Sequence, residues 1–197
     1  MKKLLIATRN KDKIPEITNV LGGLGFEIVG VSDILEIPKD FDVVEDGKTF
    51  EENAIKKAVE YGKKANLITL SDDSGICVDA LGGRPGTYSA RWVPGSAEDR
   101  NKKLLEELKD VPKAKRTAQY VCVIAIYDPE LDKVQTCEGS CEGIITMEPM
   151  GKNGFGYDPI FFSTDLNKAM GQASMEEKNS VSHRGRALRK VREILQS

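Results

Sequence analysis

Two long runs with strand character, residues 119–127 and 133–147, are separated only by Asp128-Pro129-Glu130-Leu131-Asp132. This pairing constrains the fold more than any other feature of the sequence. Pro and Asp in so short a connection stop both strands and reverse the chain, so the runs form a hairpin. Ahead of the hairpin the pattern changes. A short apolar run ends at Thr8, after which Ile14, Ile17, Val20, Leu21 and Leu24 recur at helical spacing, and a second short strand is expected over residues 26–31. Thr49 with Glu52 three residues later has the form of a capping box and predicts a helix over residues 50–65. Residues 68–70 and 76–78 read as buried strand pieces around Ser71-Asp72-Asp73-Ser74-Gly75. Ser96 caps a helix to about residue 108, residues 159–162 suit a short strand, and Ala187, Leu188, Val191, Ile194 and Leu195 mark the buried stripe of a last helix. Strands alternating with helices early and a hairpin in the middle predict an α/β fold, with a long mixed sheet flanked by helices.

The chain has 197 residues, enough to bury a core and within the size of one domain, so a single domain over residues 1–197 with two lobes is expected. Lys and Arg number 29 against 31 Asp and Glu, a net charge of -2, which argues against a general grip on nucleic acid. No stretch is long and apolar enough for a membrane span or a signal-peptide core, and the reading is cytoplasmic. Cys77, Cys122, Cys137 and Cys141 form no C-x-x-C pair and read as reduced structural thiols.

Three groups of residues could carry chemistry. Thr8-Arg9-Asn10-Lys11-Asp12-Lys13 lies between a strand end and a helix start, where unsatisfied N–H groups and the helix dipole favour phosphate, or it is an ordinary polar loop. Glu45 and the pair Asp72-Asp73 are carboxylates in or beside apolar sequence, costly to bury unless a hard cation such as magnesium or hydrogen-bond donors compensate them. Neighbouring strand residues point to opposite faces, so one of Asp72 and Asp73 should be catalytic and the other structural. Lys178, His183 and Arg184 accompany Phe155-Gly156-Tyr157-Asp158, a set in which an aromatic face can stack a base while cationic donors bond its edge. By spacing alone Lys56 and Lys57 are solvated helix charges, Arg84 and Arg91 are surface residues, and His183 is a partly exposed helix-start histidine.

Together these segments resemble the inosine triphosphate (dITP/XTP) pyrophosphatases. The matching stretches are Ala7-Thr8-Arg9-Asn10 with Lys13 and Glu16, Glu45-Asp46-Gly47 through Ala54, Asp72-Asp73-Ser74-Gly75, Tyr88-Ser89-Ala90-Arg91, residues 154–162, and Ser182-His183-Arg184-Gly185. The resemblance implies two lobes around a long mixed sheet with a central cleft, a homodimer, magnesium as cofactor, and hydrolysis of non-standard purine nucleoside triphosphates to monophosphate and pyrophosphate. It implies that Thr8, Arg9, Asn10, Lys11, Asp12, Lys13 and Lys57 hold the triphosphate, that Glu45 and Asp73 bind the metal, and that Asp73 is the general base. Ser74, Phe155, Gly156, Tyr157, Asp158, Lys178, His183 and Arg184 would contact the nucleotide. Arg9 stands where glycine is frequent in that family. The alternatives are a Maf-type pyrophosphatase on the same kind of fold and a catalytically silent nucleotide-binding module.

Overall fold

A computed structural model describes residues 2–196. Its seven strands form one sheet in the order β2-β1-β3-β4-β5-β6-β7. The strands are β1 (Lys2–Ile6), β2 (Phe26–Gly30), β3 (Ile68–Val78), β4 (Thr117–Asp128), β5 (Lys133–Ile145), β6 (Phe161–Ser163) and β7 (Lys168–Ala169). β1 runs parallel to both β2 and β3, whereas β6 is antiparallel to β5 and to β7, so the sheet is mixed as the sequence predicts. The helices are α1 (Lys13–Leu21), α2 (Phe50–Ala65), α3 (Ala97–Glu107), α4 (Met175–Val181) and α5 (His183–Gln196).

The chain divides into two compact units. The first comprises Met1–Asp73, Cys122–Glu138 and Ala187–Ser197, and the second Ser74–Val121 and Gly139–Arg186. Each boundary falls inside a continuous element: β3, β4, β5 or α5. In the first unit Leu4, Ile6 and Leu70 pack with Ile17 and Leu21 of α1, Ile124 of β4, and Leu188 and Val191 of α5. In the second, Ile76, Val78, Tyr120, Cys141, Ile145 and Phe161 pack with Leu104 and Leu108. Apolar residues therefore cover a sheet face in each unit with a helix, the arrangement that removes both from water.

The structure departs from the sequence reading in several places, among them the unexpected β7 and the end of β5 at Ile145 rather than residue 147. The two strand pieces around Ser71-Asp72-Asp73-Ser74-Gly75 are one unbroken strand, β3, because all but Ser74 in that run are buried and the ladder carries their polar backbone. Residues 158–160 form a single 3-10 turn, and the strand begins only at Phe161; Pro159 lacks the N–H a ladder needs. The short helix α4 was not expected, since seven residues hold too little periodicity to read. At α2, Thr49 Oγ1 accepts from the Glu52 N–H as predicted, but the Glu52 carboxylate returns to the N–H of Lys48, one residue before the cap.

Candidate active site

Most of the predicted residues gather into two clusters, one in each unit; those of the loop before α1 do not. The first is built around Lys57. Its side chain leaves α2 on the same face as Asn53, four residues earlier. Nζ donates to Glu45 Oε1 at 2.5 Å and to the backbone oxygen of Asp72 at 2.7 Å. Asn53 Nδ2 donates to Asp73 Oδ2 at 2.9 Å, and Lys13 Nζ lies 3.0 Å from Asp72 Oδ2. Asp72 is therefore the carboxylate that pairs Lys13 on α1, and Asp73 the one held by α2, so the two neighbouring carboxylates take different partners. Lys57 is buried, not solvated as its spacing suggested; Lys56, on the exposed side, pairs with Asp46.

Burial shapes the electrostatics here. It raises the Asp73 carboxyl above the usual carboxylate range, against the pull of Lys57, Asn53 and Lys13, and the Glu45 charge adds to the rise. For Lys57 burial acts in the opposite sense and pulls the ammonium down, but Asp72, Asp73 and Glu45 together outweigh it and hold the group above the usual lysine value. The lysine stays charged while Asp73 remains in need of more positive charge. Among the described residues no group of three or more His, Cys, Asp or Glu is arranged to hold a metal. A hard cation that keeps several waters and takes substrate phosphates needs only one or two protein carboxylates, and the Glu45 and Asp73 oxygens are donors of that kind.

The loop leading to α1 is ordered by its own side chains. Thr8 Oγ1 accepts from the Asn10 N–H, and Asn10 Oδ1 from the Asp12 N–H. Lys11 and Asp12 are exposed, and Asp12 makes no side-chain cap. Arg9 turns away from the loop: its guanidinium donates to the Phe41 carbonyl and lies 3.9 Å from Asp42.

The second cluster is formed by the loop 154–158 with α4 and the start of α5. Asp158 accepts from the Phe155 N–H at 2.8 Å and from Lys178 Nζ at 2.6 Å. Gly154 has φ +73, and a Cβ there would meet Asp158 Oδ2 at 2.1 Å, so only glycine lets the loop close this tightly. The closure sets Phe155 under two cations, with Lys178 Nζ 4.3 Å and Arg184 Cζ 5.7 Å from its ring centre. Arg184 also donates to Ser74 Oγ at 2.8 Å. His183, expected to be partly exposed, is buried. Tyr157 turns its hydroxyl to the Ser89 carbonyl, and burial pushes its pKa up to about 12. Asn101 Nδ2 donates to the Gly156 carbonyl at 3.1 Å.

Sequence reasoning missed Asn53, Tyr120 and Asn101. Asn53 was within reach, because a polar residue four positions before a lysine on an amphipathic helix shares its face. Tyr120 and Asn101 carried no signal, as a tyrosine inside a strand run and an asparagine inside a helix read as ordinary core and surface.

A mixed-sheet α/β chain with a buried acid–lysine cluster and a cation-backed aromatic loop has the equipment of a protein that handles phosphorylated nucleotides. The sequence matches the Ham1 family over residues 4–194, and the chain belongs to that family. It is 46% identical over 195 residues to the dITP/XTP pyrophosphatase of Desulforamulus reducens, covering 98% of this chain and 95% of that one. To the protein of the same name from Geobacter sulfurreducens it is 47% identical over 197 residues, covering 99% and 97%. Among solved structures, a HAM1 protein from Coxiella burnetii superposes with a TM-score of 0.89 at 37% identity, covering 99% of this chain and 98% of that one.

Proposed function

We propose that this chain is a nucleoside triphosphate pyrophosphatase that hydrolyses non-standard purine nucleotides such as ITP, dITP and XTP. The observation that carries the reading is the half-buried Glu45 joined to the buried Asn53, Lys57, Asp72 and Asp73, a set in which a carboxylate in need of positive charge lies beside fixed ammonium groups. The names of its full-length relatives support the same reaction.

Water attacks the α-phosphorus, the bond from that phosphorus to the bridging oxygen breaks, and pyrophosphate leaves. Asp73 takes the proton of the attacking water. Asn53 holds Asp73 in position by its amide. Lys57 and Lys13, with the loop that leads into α1, take the charge that grows on the leaving pyrophosphate. Glu45 and Asp73 would hold magnesium, which would neutralise phosphate oxygens. In the second unit, Phe155 stacks the base while Lys178, His183 and Arg184 donate to it. A 6-oxo purine accepts from such donors, whereas the 6-amino group of adenine sets donor against donor, a mismatch worth about 10⁴-fold or more in a buried site. The enzyme works as a homodimer in the cytoplasm, where reduced thiols persist. Among the described residues no helix is long and apolar enough to cross a membrane.

Pyrophosphate release from a panel of nucleoside triphosphates, with and without magnesium, tests this. Release from ITP, dITP and XTP that requires the metal, with ATP cut far more slowly, is expected. Equal turnover of ATP and ITP overturns the account of base selection, and ITP binding without release makes the chain a silent nucleotide-binding module.

A further inference from the structure

Tyr120 belongs to none of the motifs above, yet it touches two of the residues assigned to the base. It is buried in β4. Its ring stacks on the imidazole of His183 with centroids 4.5 Å apart and planes 6° from parallel. Its hydroxyl donates to Asp158 Oδ1 at 3.4 Å, while Asp158 Oδ2 accepts from Lys178. The Tyr120 ring also meets that of Phe161, 4.6 Å away at a tilt of 54°.

We infer that Tyr120 is a positioning residue for base recognition: its ring fixes the plane of the His183 imidazole while its hydroxyl steadies the Asp158 carboxylate that carries Lys178. The inference rests on the proposed role of His183 and Lys178 at the base. An imidazole can bond a base edge only when its ring nitrogens lie in the right plane, and a parallel aromatic neighbour restricts rotation about that plane. The hydroxyl is a dependable donor. Burial first, then the Asp158 charge, hold the phenol well above its usual pKa, so it keeps its proton at neutral pH. A strand residue in contact with both Phe161 and His183 thus sets the histidine and, through Asp158, the lysine.

Two substitutions separate the two contacts. Tyr120→Phe keeps the stack and removes the hydroxyl; Tyr120→Leu keeps apolar bulk and removes both. For Tyr120→Leu the KM for ITP rises by about tenfold, kcat stays within about twofold, and the preference for ITP over ATP falls by about tenfold. For Tyr120→Phe the KM rises by roughly threefold, the weight of one modest hydrogen bond, and the preference is largely kept. The chain has a single histidine, so its imidazole proton resonance is assigned without ambiguity. That resonance is displaced by the tyrosine ring current in the wild type, displaced still in Tyr120→Phe, and relaxed in Tyr120→Leu.

A folded Tyr120→Leu variant with the wild-type preference overturns the inference, as does a parallel fall of kcat for ITP and ATP, which marks general packing damage. If Tyr120→Leu does not fold, an unchanged KM in Tyr120→Phe overturns the hold on Asp158, and an imidazole resonance at its random-coil position in the wild type overturns the stack. Failure of the underlying reading looks different: the wild type itself then shows no preference for ITP.

Discussion

Asp73 shows how a single buried carboxylate ties stability to activity. Burial raises its pKa from the ordinary value of 3.8, so the folded state binds this proton more tightly than the unfolded chain does. The ionised carboxylate therefore costs stability above its raised folded pKa, and the cost disappears below the unfolded value, where both states are protonated. Asp73→Asn mimics the protonated form and still offers an oxygen to Asn53. In chelator at neutral pH the variant is expected to melt higher than wild type, by about 2–4 °C if the cost is near 1 kcal/mol. That advantage fades as the pH falls toward 3.8. Magnesium should stabilise the wild type and not the variant, and turnover should be lost only in the variant. Thermal melts across pH, with and without metal, check each part; a variant that melts lower than wild type at neutral pH contradicts the burial argument. That Asp72 and Asp73 face different partners was legible from strand alternation. Which partner each takes was not, because that depends on Lys13 and Asn53 arriving from separate helices.

Among the elements, the corner between α4 and α5 depends most on one residue. Lys178 is on α4 and His183 and Arg184 open α5, with only Ser182 between the helices. The Ser182 N–H bonds the Lys178 carbonyl, its carbonyl accepts from Arg186 N–H, and its hydroxyl accepts from Gly185 N–H. A Cβ on Gly185 would lie 2.0 Å from the Asn179 carbonyl oxygen. That oxygen belongs to the backbone and cannot swing aside, so Gly185→Ala forces the two helices apart. The expected loss is about 2–3 kcal/mol in a urea melt, at the upper end of overpacking effects, with a raised KM for ITP. Wild-type stability would mean that the corner yields easily. Ser182-His183-Arg184-Gly185 was visible in the sequence as a motif. Its last member reads as a tolerated helix glycine until α4, too short to show periodicity, is known to cross it. The long helices and the central hairpin carried strong patterns and were legible; the short pieces around residues 158–181 were not.

At the scale of the molecule the four cysteines report on folding, because Cys122 and Cys137 belong to the first unit and Cys77 and Cys141 to the second. All four are free thiols; Cys122, Cys137 and Cys141 are buried and Cys77 is half-buried. Burial raises the pKa of Cys77, with Asp79 adding to it, and likewise raises Cys137 and Cys141. Thiolate is the reactive form, so a disulfide reagent should label the native protein slowly, and first at Cys77. Neither unit is a continuous piece of chain: β3, β4, β5 and α5 each begin in one and end in the other. A strand cannot keep its ladder at one end while the helix covering the other is lost without exposing apolar residues along it, so the two units are expected to unfold together. Rising urea should then expose Cys122 and Cys137 of the first unit and Cys141 of the second at the same midpoint. Site-resolved labelling followed by peptide mass spectrometry measures those midpoints directly. A first-unit pair that reacts at distinctly lower urea than Cys141 would show that the shared strands do not couple the units, and that the acid–lysine cluster can open while the base cluster stays folded.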